Sequence, residues 1–215
     1  MAQRDAGVQP PRAGYRHGDL RQALIDAGLE MAREGGPDAV VLREATRRAG
    51  VSPNAAYRHF ADRSALVTAV SDAASGEVAA AIELEWDAVS GDLSPAETAR
   101  EHLRAVGLGY LRFARDEPGL FRAAFTVPGD LADAFGRSKA GPSGRTPFEL
   151  LSAALDEMVA ADVLPAERRP GAELACWSAV HGLAMLVLEG PLRGIPPEMG
   201  RAAAQRVIEM AVRGV

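Results

Sequence analysis

Residues suited to contact phosphate are concentrated in one short part of the chain, between positions 43 and 63. Tyr57, Arg58 and His59 follow one another directly, and Arg43 and Arg63 flank them. Tyrosine hydroxyls and guanidinium groups are common partners of nucleic-acid phosphates, because both direct polar hydrogens towards an anionic oxygen. We therefore expect these five side chains to contact a nucleic-acid backbone.

Side chains able to read bases precede this group. Ser52, Asn54 and Ala55 lie at the expected leading end of a helix. An asparagine amide can pair with adenine, and an alanine methyl group can contact the thymine methyl. We assign Thr46, on the preceding helix, to the same DNA-binding surface.

These candidates require two short helices joined by a tight turn. Residues 41–48 predict the first helix and residues 53–59 the second, with Ser52 as N-cap and Pro53 as first helical residue. Gly50 lies in the turn between them. The apolar residues expected to close a small core are Leu42, Val51 and Phe60. This is the helix-turn-helix layout, whose second helix enters the major groove of double-stranded DNA.

A second group of residues, later in the chain, is typical of a small-molecule site. Tyr110, Trp177 and His181 each combine an apolar body with a polar tip. Mostly apolar surfaces with a few polar groups are typical of ligand pockets. The residues expected to supply the walls are Phe113, Phe121 and Phe125. Charged residues are sparse in these segments, so we expect a neutral or aromatic ligand over a strongly anionic one.

Helical periodicity extends along the chain and predicts an all-α fold. Apolar residues recur at three- and four-residue steps, and no stretch alternates long enough to suggest a sheet. Capping-box spacings at Asp19, Ser94 and Thr146 mark three helix starts. The helices expected outside the motif span about residues 19–34, 62–89, 95–115, 118–125, 147–161, 171–189 and 197–213. Residues 128–145 predict a loop with a weakly helical stretch at 131–135.

These elements predict three parts of the chain: a flexible arm (1–17), a three-helix DNA-binding domain (18–61) and a larger helical domain for ligand binding and dimerisation (62–215). The charge divides in the same way. Residues 1–63 carry 10 arginines and 8 acidic residues, whereas the rest carries 14 basic and 21 acidic residues. Arginine supplies every basic residue except Lys139. The basic surplus therefore lies at the N-terminal end, where it suits phosphate.

The helices at about 147–161 and 171–189 predict a homodimer. The second is apolar nearly all round from Leu174 to Leu188, and a soluble helix without a polar face must be covered on both sides. The helix's own domain covers one side, so a second protomer is expected on the other. The residues expected at this interface are Leu151, Leu155, Met158, Ala179, Val180 and Leu183.

The motif resembles that of the TetR family of regulators. The resemblance is carried by Gly50-Val51-Ser52 and Tyr57-Arg58-His59-Phe60, within residues 16–66. Ala45 stands where the family has a larger aliphatic residue, and Thr46 where it has a small alanine. The resemblance implies a homodimeric, ligand-responsive repressor of a pseudo-palindromic operator, and it places the Tyr57 hydroxyl on phosphate.

A weaker resemblance concerns the C-terminal domain. The segments Trp177-Ser178-Ala179-Val180-His181-Gly182, Tyr110…Phe113-Ala114 and Pro118-Gly119-Leu120-Phe121 resemble a TetR-like group with a Trp-His-Gly (WHG) signature. This likeness implies fold and dimerisation without identifying a ligand.

Other functions are less consistent with the residues. A DNA-binding protein governed by a protein partner or by its own level would have a filled core where a ligand-responsive one has a cavity. A helical-bundle enzyme would need an acid/base or metal pattern, and the histidines form no His-Cys-Asp cluster, so no cofactor or metal is expected. The lone Cys176 predicts an inert core thiol, and the polar N-terminus and the short apolar run before residue 189 predict a cytoplasmic protein without a membrane span.

Overall fold

Nine α-helices make up the part of the chain that this computed structural model describes, residues 17–127 and 131–214. They are α1 (His17–Gly35), α2 (Leu42–Arg48), α3 (Pro53–Ala56), α4 (Arg63–Asp87), α5 (Pro95–Asp116), α6 (Pro118–Thr126), α7 (Pro147–Ala160), α8 (Ala172–Leu188) and α9 (Pro197–Gly214). The described residues contain no strand, so the expected all-α class is confirmed. The predicted arm lies outside the described residues except for His17, which opens α1.

The first three helices pack around a small apolar core, as expected. Leu42 and Phe60 are buried, and Val51 is partly buried against them. Gly50 forms the turn with a φ of 67°, and the Val51 N–H then donates to the Thr46 carbonyl at 3.0 Å. This pattern closes the C-terminus of α2 and suits glycine, because a side chain disfavours that φ.

The second helix of the motif is shorter than expected. It ends at Ala56, and residues 57–59 continue as turns. Ser52 occupies the N-cap position with extended backbone, but its side chain forms no capping hydrogen bond. Pro53 still follows as the first helical residue, where its missing N–H costs nothing.

The long helix α4 runs through the centre of the molecule. Asp62 caps it by accepting a hydrogen bond of 2.9 Å from the Ala65 N–H. Its buried face includes Leu66, Val70 and Ile82 and packs against α1, α5, α6 and α7. By length and composition α4 could cross a membrane, but half of its most apolar window is buried by other helices. We therefore describe α4 as a core helix.

Two of the three predicted capping boxes are present, whereas the one predicted at Asp19 is wrong because α1 already begins at His17. At the start of α5, the Ser94 hydroxyl accepts from the Glu97 N–H at 3.3 Å, and the Ser94 N–H donates to the Glu97 carboxylate at 2.9 Å. At the start of α7, Thr146 and Glu149 make the same exchange at 3.2 and 2.8 Å. The boxes fix where two helices of the C-terminal domain begin.

The apolar stripe of α7 faces its own protomer, which corrects part of the dimer prediction. Leu151, Leu155 and Met158 are all buried in the core of the single chain. Val180 and Leu183 of α8 are buried as well, and Ala179 is half-buried. The apolar stripe predicts that these residues are buried. In the structure, other helices of the same chain bury them.

Part of the predicted loop before α7 lies along α4. Residues 137–145, here called the strap, are fixed to α4 at two acidic residues. Ser138 donates to Asp72 at 2.8 Å, and the Ser143 hydroxyl donates to Glu83 at 2.6 Å. Short 3-10 turns at Leu131–Phe135 and Arg137–Lys139 shape this part of the chain.

Candidate DNA-binding surface and effector cavity

Most of the predicted DNA-contacting residues lie at the surface of the helix-turn-helix. Tyr57 is 58% exposed, so it belongs to the surface and not to the core. Ser52, Asn54 and Arg58 are also exposed, and Ala55 and His59 are half-buried. Arg43 is exposed on α2.

Ion pairing divides the arginines of α2 into two groups. Arg47 donates to Glu44 at 2.6 Å, and Arg48 donates to Glu34 at 2.8 Å. Hydrogen bonds from Arg47 and Arg48 lower the pKa of Glu44 to about 2, so this carboxylate stays ionised. Arg43 and Arg58, in contrast, form no ion pair with any residue that the structure describes. Their charge remains available for phosphate.

Two predicted DNA contacts have other roles in the structure. Thr46 is only 3% exposed, and its hydroxyl donates to the Arg43 carbonyl at 2.7 Å, so it is not part of the surface. The Arg63 guanidinium donates to the carbonyls of Val40 and Pro37 at 2.7 and 3.0 Å. It therefore joins the start of α4 to the segment before α2. Sequence spacing places both residues near the motif but does not reveal where their polar atoms point.

A cavity of about 500 Å³ lies in the C-terminal domain. Side chains from α4, α5, α6, α7, α8 and α9 line it, together with the segment between α6 and α7. The lining is mainly aliphatic and aromatic: Ile82, Leu103, Val106, Phe125, Phe148, Leu151, Val180 and Ile208. Its size suits a small organic molecule, and its composition is typical of a ligand pocket.

The three predicted polar tips meet in this cavity as a polar triad. The Trp177 indole N–H donates to the Tyr110 hydroxyl oxygen at 3.2 Å, and that hydroxyl lies 2.8 Å from Nδ1 of His181. Because an indole can only donate, the Tyr110 hydrogen is free to be donated to His181. Burial lowers the pKa of His181 and raises that of Tyr110, so both are neutral in this arrangement.

The prediction that three phenylalanines form the cavity wall is only partly correct. Phe125 lines the cavity, whereas Phe113 and Phe121 do not. Phe121 is fully buried and packs edge-on against Tyr110, with ring centroids 5.3 Å apart, so it supports the triad from behind. Phe113 is buried in the core. The helical periodicity places these rings on one face of each helix but does not show which ring reaches the cavity.

Sequence reasoning missed most of the cavity lining, including two residues of different chemistry. Phe148 of α7 contacts Trp177 edge-on, with ring centroids 6.3 Å apart. Lys139 of the strap places a positively charged side chain in the wall of the cavity. Phe148 was recognisable as part of the α7 stripe, but no periodic pattern surrounds Lys139. The buried Cys176 also lines the cavity, and burial raises its pKa to about 11, so it is an inert thiol at neutral pH.

Two helices connect the cavity with the DNA-binding domain. Ser75 and Ile82 of α4 line the cavity, and α4 begins directly after the helix-turn-helix. Phe125 of α6 lines it as well. At the other end of α6, Gly119 lies so close to α1 that a Cβ atom would come within 2.3 Å of the Ala32 carbonyl oxygen.

This architecture defines a helix-turn-helix protein whose second, helical domain encloses a cavity. Family comparison agrees with it. Residues 24–70 match the family described as bacterial regulatory proteins, tetR family, and residues 103–211 match the tetracyclin repressor-like C-terminal domain. The chain belongs to the TetR family of DNA-binding transcriptional regulators, a family without enzymatic activity.

Individual relatives are more distant. The regulator BetI of Rhizobium meliloti (strain 1021) is 35% identical over 100 residues, which are 46% of this chain and only 42% of BetI. A protein of unknown function from Rhodococcus sp. RHA1 has the same fold with a TM-score of 0.71 at 24% identity, covering 95% of this chain and 99% of that one.

Two similar structures contain small molecules. RolR in complex with resorcinol matches with a TM-score of 0.57 at 15% identity, over 90% of this chain and 88% of RolR. A TetR variant from Acinetobacter baumannii AYE in complex with minocycline matches with a TM-score of 0.56 at 17% identity, over 90% of this chain and 94% of the variant. At these identities the likeness concerns the fold alone.

Proposed function

We propose that this protein is a cytoplasmic repressor that binds a pseudo-palindromic operator as a homodimer and releases it when a small, largely apolar or aromatic molecule enters the cavity. The observation that carries the proposal is the pairing of an exposed helix-turn-helix surface with a cavity of about 500 Å³. An open cavity favours this function over a DNA-binding protein without a ligand, whose C-terminal core would be filled. The domain division at residues 18–61 and 62–215 is part of the proposal.

DNA recognition is proposed to divide between phosphate and base contacts. Arg43, Tyr57 and Arg58 are exposed and suit phosphate, whereas Asn54 near the start of α3 suits a base edge. Tyr57→Phe is then expected to weaken binding to all sequences alike, by about 3- to 10-fold for one lost hydrogen bond. Asn54→Ala is expected to change the preferred base.

Ligand binding is proposed to centre on the polar triad. A hydrogen-bonding ligand group can meet Tyr110, Trp177 or His181 while its apolar body fills the remaining space. The resorcinol and minocycline complexes of similar folds support a ligand role for this domain. We also propose, on Trp177, His181 and Gly182, that the domain belongs to the Trp-His-Gly group.

Release is proposed to follow from the two connecting helices. A ligand in contact with Phe125 and Ile82 touches α6 and α4 at once. Movement of either helix reaches the reading helix, because α4 follows it directly and α6 packs on α1. Coupling requires unequal ligand affinity for the two conformations, and it is reciprocal, so DNA must weaken the ligand by the same factor.

The dimer is proposed to use the exposed face of α8. Leu174 and Leu186 are 51% and 43% exposed, and the face between them carries Ser178 and Gly182 without any charge. A Cβ atom on Gly182 would meet nothing within 4 Å, so a partner helix could approach closely there. The proposed interface therefore uses this exposed face and not the buried apolar stripe of α7.

Selection of bound sequences from random DNA tests the function. The expected result is an inverted repeat, because two reading helices related by a two-fold axis meet two half-sites. A library of hydrophobic compounds is then screened for release of that operator, with Trp177→Ala as a variant that keeps DNA binding but loses the response. Absence of an inverted repeat would refute operator binding, and absence of any responsive compound would favour the ligand-free alternative.

A further inference from the structure

A charged side chain of the strap lies in the wall of the cavity. Among the described lining residues only Lys139 carries a formal charge. It is also the one lysine of the whole chain. Its side chain is 23% exposed, so most of it lies against the protein. A cation is thereby held beside a mostly apolar space.

This ammonium group is incompletely paired within the chain. Its Nζ lies 3.7 Å from Oδ1 of Asp72 on α4, which is beyond ordinary hydrogen-bond distance. The second oxygen of Asp72 already accepts the hydrogen bond from Ser138. Within residues 17–127 and 131–214, Nζ donates no hydrogen bond. An ammonium has three donors, so it retains the capacity to bind a further acceptor.

We infer that the ligand of this cavity carries one anionic group, a carboxylate or a phenolate, and that this group pairs with Lys139. The inference rests on the proposed function, since it names the chemical class of that ligand. The apolar lining and the neutral polar triad require the rest of the molecule to be an apolar or aromatic body. The ligand is thus a monoanionic amphiphile, whereas the sequence predicts a neutral or aromatic ligand over a strongly anionic one.

The reason is the cost of removing water from a cation whose ion pair with Asp72 is long, at 3.7 Å. A neutral apolar ligand that fills the cavity strips water from the ammonium without supplying an acceptor of equal strength, and a desolvated charge with unfilled hydrogen-bond donors is costly. A carboxylate or phenolate replaces that water with a charge-assisted hydrogen bond. The cavity is therefore expected to bind an anionic ligand more tightly than a neutral ligand of the same shape.

The same contact gives the ligand a direct connection to α4. An anion bound to Lys139 competes with Asp72 for the same ammonium group. Asp72 lies one turn before Ser75, which itself lines the cavity. Ligand binding at this point consequently changes how the strap is held on the helix that leads to the DNA-binding domain.

Matched ligand pairs test the inference. Naphthoic and biphenylcarboxylic acids are compared with their primary amides, which have nearly the same shape but no charge. Dissociation constants are measured by tryptophan fluorescence at neutral pH. The acids are expected to bind wild-type protein about tenfold or more tightly than their amides. Lys139→Gln is expected to abolish this preference, and Lys139→Arg to retain it.

Arg137→Gln is the matched control. Arg137 is exposed two residues away on the same strap and does not line the cavity, so the variant removes the same charge without touching the site. The acid preference is expected to survive in it. Amides that bind wild type as tightly as the acids, or an acid preference that persists in Lys139→Gln, would overturn the inference.

Operator release separates this inference from the proposed function. If the amides alone bind and release operator DNA, the proposed function stands and the inference about charge is wrong. If neither acids nor amides bind while the operator is still bound, the inference fails together with the effector part of the proposed function. If the protein binds the acids selectively through Lys139 but binds no operator, the inference stands and the repressor function fails.

Discussion

Arg43 and Arg47 lie one helical turn apart on α2, yet they differ in what neutralises them. Arg47 is held by Glu44, whereas Arg43 meets no carboxylate among the described residues. A guanidinium already paired with a carboxylate gains less from a phosphate than an unpaired one does. From the sequence, we assign Arg43 and not Arg47 to phosphate, and the ion pair of Arg47 with Glu44 gives a physical reason for that difference.

This difference predicts different salt dependences of DNA binding. Each phosphate contact releases condensed counterions, so its loss reduces the slope of log affinity against log salt by about one. Arg43→Gln is expected to reduce the slope by about one per protomer, and the matched control Arg47→Gln by much less. Fluorescence anisotropy with labelled operator over a salt series measures both. Equal slopes for the two variants would contradict the assignment of Arg43 to phosphate.

His181 makes stability depend on pH. Burial lowers its pKa from 6.5, so the folded chain binds this proton less tightly than the unfolded chain does. The contribution of neutral His181 is therefore fully present above pH 6.5 and is lost as the pH falls through the folded pKa. Protonation also removes the Nδ1 acceptor opposite Tyr110.

We accordingly expect the melting temperature of the wild type to fall on acidification from about pH 7.5 to about pH 5. In His181→Gln the fall is expected to be shallower, because the amide does not titrate. Thermal unfolding of both proteins over this range gives the comparison. Curves of the same steepness would show that neutral His181 does not contribute to stability.

At the scale of elements, the sequence predicts where helices begin better than it predicts which residues pack against them. Capping boxes are local, so Ser94 with Glu97 and Thr146 with Glu149 fixed the starts of α5 and α7 correctly. The partners of a helix depend on residues far away in sequence. The apolar stripe of α7 correctly indicates burial but does not show that helices of the same chain cover it. The loop before α7 is also predicted correctly where the structure describes it, but its contacts with Asp72 and Glu83 are non-local and leave no signal in the sequence.

The turn between α2 and α3 offers a prediction at this scale. Gly50 has a φ of 67°, and a Cβ atom there would meet nothing within 4 Å. Gly50→Ala thus costs backbone strain without a steric clash, and we expect a loss of about 1 kcal/mol in the free energy of unfolding. Gly50→Asn is expected to lose less, since asparagine tolerates this conformation better. Urea denaturation gives the free energy of unfolding of both variants. An alanine variant as stable as the wild type would show that this φ does not strain the backbone.

At the scale of the whole molecule, the exposed face of α8 departs from an ordinary surface helix. The segment from Leu174 to Leu188 has no charged residue, and Leu174 and Leu186 remain exposed in the single chain. The hydrophobic effect favours covering such a face. A charge placed at Leu155, in contrast, would lie inside the core and is expected to unfold the chain instead of dissociating a dimer.

Leu186→Glu is therefore the variant expected to separate dimerisation from folding. Its carboxylate reaches water in a monomer, so the fold is retained, but in the proposed dimer it would be buried against an apolar partner helix. We expect monomers by light scattering at micromolar concentration. Operator affinity is expected to drop by about 100-fold or more, because the two half-sites are no longer bound by linked reading domains.

Leu84→Glu supplies the matched control. Leu84 is 63% exposed on α4, so the same substitution adds the same charge at an exposed leucine away from α8. This variant is expected to remain dimeric and to bind the operator as the wild type does. Circular dichroism and thermal unfolding confirm that both variants are folded. A monomeric wild type, or a Leu186→Glu protein that still dimerises, would place the interface on another face, and equal loss of dimer in both variants would attribute the effect to net charge.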